Sequence, residues 1–164
     1  MALAALSIEE GHAADVETPV REARDEFRKE KQIDNEIAAD TVLARALLAQ
    51  GRSAYAQKEI DGARPLWAKS QNRGTRLNFG IVFARVRAAL GKPAEAERDL
   101  ETTLGEATKY GFVGYQLEAR LALGEIEMKS GKAAAGRARL EALEQDATAK
   151  GFGLIARKAA AAKS

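Results

Sequence analysis

Apolar positions along this chain recur at three- and four-residue spacing, in stretches of seventeen to nineteen residues that turn signals interrupt. That spacing puts one apolar stripe along a helix. The pattern predicts a helix through residues 1–10, then helices over about 13–31, 33–50, 53–70, 73–90, 93–110, 113–130, 133–150 and 154–162. In the second, Val16, Val20, Ala23 and Phe27 share a stripe. In the third, Ile37, Thr41, Leu43, Leu47 and Leu48 face neighbours.

The turn signals are themselves periodic. Gly11, Gly51, Gly91 and Gly131 stand forty residues apart, each followed by a basic or protonatable residue: His12, Arg52, Lys92 and Lys132. The helical positions keep the same step. Leu3, Leu43, Phe83 and Leu123 fill one column, and Ala4, Ala44, Ala84 and Gly124 fill the next. Val16, Ala56, Ala96 and Gly136 form another, followed by Val20, Ile60, Leu100 and Leu140. Large columns stay large and small columns stay small, which is the signature of a repeat array. The repeats predicted are about 1–32, 33–72, 73–112 and 113–152, with residues 153–164 as a capping helix in a single domain. The counterpart of residues 1–10 one period later is a longer helix, so the chain is expected to begin inside a repeat and to be a piece of a longer protein.

Three prolines test the helix assignments. Proline is tolerated in a first turn but costs ~3 kcal/mol deeper in a helix. Pro93 sits at a helix start, and Pro19 fits a late start capped by Thr18 or a bent first turn. Pro65 with Gly62 falls inside the fourth helix, so a kink or break is expected around residues 61–65. Ser53 is the expected N-cap of that helix.

Composition narrows the chemistry. The chain of 164 residues is 46% hydrophobic but only 5% aromatic, so its helices approach closely through alanine. No cysteine is present, which removes disulfides, thiolate metal sites and thiol nucleophiles and fits a cytoplasmic protein. No apolar run approaches the ~20 residues of a membrane span. The opening segment lacks a basic region and turns acidic at Glu9 and Glu10, unlike a secretory signal.

Charge is unevenly spread. Residues 1–40 hold 5 basic and 11 acidic side chains, a net of −6, while residues 41–164 hold 21 and 13, a net of +8. No carboxylate occurs between Gly62 and Ala94, where Arg64, Lys69, Arg73, Arg76, Arg85, Arg87 and Lys92 accumulate. This stretch reads as a solvated helical surface or as a docking patch for an acidic partner.

The columns resemble a tetratricopeptide-type array. That family pairs a helix A with a helix B and places a small residue midway along A, a glycine between the two, and a small then a large apolar residue early in B. Ala44, Ala84 and Gly124, the four glycines, Ala56, Ala96 and Gly136, and Ile60, Leu100 and Leu140 fill those places. The period of forty exceeds the family's usual one, and Asp40, Gly80 and Arg120 stand where an aromatic is customary. The likeness is to the divergent arrays C-terminal in bacterial signalling proteins, as in GYQLEARLALGEIEMKSGK and AKGFGLIARKA.

The resemblance implies an all-α right-handed superhelix of about four helix pairs plus a capping helix, with the A helices lining a concave groove. The groove columns are Ala5, Arg45, Arg85 and Glu125, then Ile8, Leu48, Ala88 and Met128, with Thr41, Ile81 and Leu121 one turn earlier. Arg45 and Arg85 beside Leu48, Ile81 and Met128 would hold a short acidic or amphipathic segment, or else pair with glutamates of the chain itself. The lysine and asparagine pattern by which some relatives clamp a terminal carboxylate is missing.

Nothing in the residues requires an enzyme, metal or cofactor. His12 is the only histidine and lies in a turn column of basic residues, and a zinc site has no ligand set. GFGLIA at 151–156 formally matches a dinucleotide fingerprint but reads better as a turn entering a helix. The expected function is binding of a protein or peptide in the groove. The alternatives are head-to-tail self-assembly through open repeat ends and, last, nucleic-acid binding by residues 64–92.

Overall fold

The computed structural model describes all residues 1–164 as an all-α chain of nine helices with no strand. They are α1 (Ala2–Glu9), α2 (Glu17–Lys29), α3 (Ile33–Ala49), α4 (Ser53–Trp67), α5 (Arg73–Ala89), α6 (Pro93–Lys109), α7 (Val113–Lys129), α8 (Ala133–Ala149) and α9 (Gly153–Ala162). From α3 onward a helix starts every twenty residues, at 33, 53, 73, 93, 113, 133 and 153. The forty-residue repeat is therefore two helices of equal spacing.

The turns repeat with the same step. Residues 11, 31, 51, 91, 111, 131 and 151 all have positive φ, and all but Lys31 are glycine. At Gly51 the amide donates to the Leu48 carbonyl at 2.9 Å and the next amide, of Arg52, to Leu47 at 2.8 Å. This pairing satisfies carbonyls that the helix end leaves open and requires a left-handed residue, which is why glycine recurs there. Lys31 makes the same two bonds, its amide to Arg28 and that of Gln32 to Phe27.

Three local expectations are corrected. α2 starts at Glu17 rather than near Ala13, with Val16 in the cap position and Thr18 inside the helix. Pro19 then falls in a first turn, whose amides have no helical partner. No break occurs at 61–65, because α4 runs unbroken from Ser53 to Trp67 with Pro65 inside it. Pro65 removes one amide, the one that would have met the Asp61 carbonyl, and the helix runs on through it. Arg52, not Ser53, takes the N-cap position of α4, and no side chain caps there.

The chain forms two compact units, Met1–Leu90 and Gly91–Ser164. The division falls inside the expected repeat 73–112, leaving α5 in the first unit and α6 in the second. In the first unit α1, α2, α4 and α5 all pack on α3, and α4 also packs on α5. Ala39, Val42, Leu43 and Ala46 of α3 bury Ala13, Val16 and Val20 on one side. Ile37, Ala44 and Leu47 bury Ala56, Ile60 and Ala63 of α4 and Phe79, Val82 and Val86 of α5 on the other. In the second unit α6 packs on α7, α7 on α8, and α9 on both α7 and α8. Leu117, Leu121, Leu140, Leu143, Ala147, Ile155 and Ala159 make its core.

Candidate partner-binding surface

The carboxylate-free stretch folds into α4, α5 and the turn between them. Three aromatic rings run through this hairpin. Trp67 stacks on Phe79 with centroids 5.2 Å apart, and Phe79 on Phe83 at 6.1 Å with ring planes inclined by 12°. Phe79 is buried, while Trp67 and Phe83 are half-buried and keep outer faces. Guanidinium groups cover those faces. Arg76 lies 5.0 Å from the Trp67 centroid, and Arg64 and Arg87 lie 5.4 and 4.4 Å from that of Phe83. Each such contact is worth ~0.5–1 kcal/mol at an exposed site and holds the cation in place without neutralising it.

The turn is braced around the same residues. The Trp67 indole donates to the Arg76 carbonyl at 3.2 Å, and the Arg76 guanidinium donates back to the Trp67 carbonyl at 3.1 Å. Asn72 caps α5, accepting from the Thr75 amide at 3.0 Å. Ser70 donates to Asp34 of α3 at 2.5 Å. Arg64 and Lys69 are exposed and pair with no carboxylate. The result is a rigid cationic and aromatic face.

The basic residues of α2 behave oppositely. Arg21 and Arg24 donate to Glu59 of α4 at 2.6 and 3.0 Å, and Arg24 also reaches Asp40 of α3 at 3.4 Å. Arg28 donates to Glu36 at 2.7 Å. Asp40 is only 3% exposed. Burial pushes its carboxyl up to about 6; Arg24 pulls against this, and Glu59 and Glu36 add to it. Charge here fastens one helix to two others and offers little to a partner.

The eight residues predicted to line a groove divide between the units. Thr41 and Ile81 in the first unit and Leu121 in the second are 1%, 2% and 3% exposed, so they are core residues with no surface for a ligand. The Thr41 hydroxyl donates to the Ile37 carbonyl of its own helix at 2.7 Å. Arg45 is half-buried and donates to Glu9 at 3.0 Å, the pairing with a glutamate that the residues left open. Leu48 packs against the first unit's core and Met128 against the second's. Arg85 and Glu125 are half-buried.

The aromatic stack had only a partial signal in the sequence. Phe79 and Phe83, four apart, share a helix face, but nothing local aims Trp67 at them from across the turn. His12 is exposed beside its turn glycine. GFGLIA lies at the turn into α9, with a helix before it. Nowhere do three or more metal-ligating side chains converge, and no helix is long and apolar enough to cross a membrane. No protein-family profile matches the chain, and neither a curated protein nor a solved structure matches it.

Proposed function

We propose that this chain is a non-catalytic interaction module, a divergent tetratricopeptide-like array of the kind that serves bacterial signalling proteins, and that it docks an acidic segment of a partner protein. One observation carries the reading. The α4–α5 hairpin holds Arg64, Arg76 and Arg87 on a stack of aromatic rings, within a stretch from Gly62 to Ala94 that has no carboxylate. Planar guanidinium groups fixed in this way suit carboxylates, and the attraction steers an acidic chain on approach.

The same features are poorly suited to single-stranded nucleic acid. Base stacking needs open ring faces, whereas Trp67, Phe79 and Phe83 stack on one another and carry guanidinium groups outside. Titration with a glutamate-rich peptide and with oligothymidylate separates the two. Saturable peptide binding that R64E/K69E abolishes, at an unchanged melting temperature, supports the docking reading. Preference for oligothymidylate, or no binding of either, sinks it.

Self-association is the second reading, and one observation favours it. Leu3 is 81% and Leu6 52% exposed, although the same columns in later repeats hold buried Leu43, Leu123, Ala46, Val86 and Ile126. In α9, Arg157 is exposed in the column of buried Ile37, Leu77 and Leu117, and Leu154 beside it is 46% exposed, so that surface is mixed in character. Sedimentation at rising concentration decides the point, since growth in mass that L3E/L6E removes would favour assembly.

A further inference from the structure

Beside the turn from α6 to α7, Gly111, Phe112, Val113, Gly114, Tyr115 and Glu118 line an open depression of about 490 Å³. Phe112 and Tyr115 are splayed, with ring centroids 6.1 Å apart and planes inclined by 43°. A Cβ on Gly114 would stand 3.7 Å from the Phe152 ring, just outside this lining. Two of the second unit's four aromatic residues thus line this depression, with Phe152 close to Gly114, in a chain poor in them.

Glu118 supplies the charge. It follows Tyr115 by three residues and Gly114 by four, so it rises on the same face of α7. Several other carboxylates of the unit are held by cations: Glu97 by Lys132, Glu127 by Arg139, and Asp146 by Arg120. Glu118 is half-buried and has no such partner. Its charge is felt next door, where burial first and Glu118 second raise the Tyr115 hydroxyl above its ordinary value.

We propose that this depression binds an organic ammonium group, seated against the faces of Phe112 and Tyr115 with its charge toward Glu118. A cation over aromatic faces gains from their quadrupoles, most of all when the site is partly desolvated. A metal ion would be a poor fit, since hard cations need several oxygen ligands and only one carboxylate is offered. The amide end of α7 opposes a cation with roughly half a charge, confined to the first turn. Glu118 is the sixth residue of α7 and carries a full one. This site is independent of the α4–α5 face and selects the opposite charge. The ammonium could come from a small molecule or from a lysine of a bound chain.

The test is a nuclear magnetic resonance titration of the whole chain with tetramethylammonium, with tert-butanol as the uncharged match, and with a capped Gly-Lys-Gly peptide. Saturable amide shifts confined to residues 111–118, seen with either cation and not with the alcohol, are expected. Stronger response to the peptide assigns a lysine side chain, and stronger response to tetramethylammonium assigns a free ligand. Glu118→Gln and Tyr115→Leu should each weaken binding by about tenfold, with spectra elsewhere unchanged. Equal shifts from the alcohol, shifts spread over the chain, or wild-type affinity in Glu118→Gln would overturn the proposal.

Discussion

Gly136 of α8 lies against Gly124 of α7 so closely that a Cβ on Gly136 would stand 2.8 Å from the Gly124 carbonyl oxygen and 2.7 Å from the Met128 amide nitrogen. Earlier repeats carry Ala44 and Ala84 in the column of Gly124, and Ala56 and Ala96 in that of Gly136. With glycine in both places, the α7–α8 hairpin closes more tightly than a methyl group allows.

Gly136→Ala should therefore destabilise the second unit by about 1–3 kcal/mol, despite the better helix propensity of alanine. Gly124→Ala should be costly as well, since its added carbon meets Cγ and Cδ2 of the fully buried Leu140 at 2.6 and 2.7 Å. Urea denaturation of both variants checks this, and a neutral Gly136→Ala would contradict it.

Lys31 is the one non-glycine in the left-handed turn column, with φ of 58°. A left-handed residue with a side chain is strained by roughly 1–2 kcal/mol, and glycine recovers part of that while loosening the unfolded chain. Lys31→Gly should raise stability by about 0.5–1 kcal/mol. A lower thermal midpoint would count against the account.

Asp40 governs a pH dependence. Its folded value of about 6 exceeds the ordinary 3.8. Between those two values the folded chain binds a proton that the unfolded chain does not, so this group's contribution to stability falls as pH rises. It is fully present below about 4, is lost through about 6, and amounts to something on the order of 3 kcal/mol. Asp40→Asn should equal or exceed the wild type in stability at pH 7.5 and lose its advantage near pH 4.5, the trend being read from denaturant midpoints across ~pH 4–8.

α2 depends on charge more than on apolar burial. Val20 is its only fully buried residue, while Glu59 accepts from both Arg21 and Arg24. Glu59→Gln should weaken that attachment by about 1–2 kcal/mol. Hydrogen exchange should then quicken in α2 well before α3. Uniform protection across both helices would show that the apolar contacts suffice.

Much of this architecture was legible in the residues because helix ends are local events. Gly51 and its counterparts close helices through bonds to carbonyls three to five residues back, so a column of glycines fixes where each rod stops. Pro65 shows the limit of local reading. Its missing amide costs the bond to the Asp61 carbonyl, yet α4 runs on to Trp67, with Ile60, Ala63, Leu66 and Trp67 packed on the first unit's core.

The sequence alone thus determined an all-helical chain with a forty-residue beat, since apolar period and turn chemistry act over a few residues. Only the tertiary structure decided what the side chains in those columns meet. It sank Thr41, Ile81 and Leu121 into cores, spent Arg45 on Glu9, and set Trp67 against Phe79. The reason is reach: Glu9 and Arg45 are 36 residues apart, and a repeat fixes which positions are equivalent without fixing which charge or ring lies opposite.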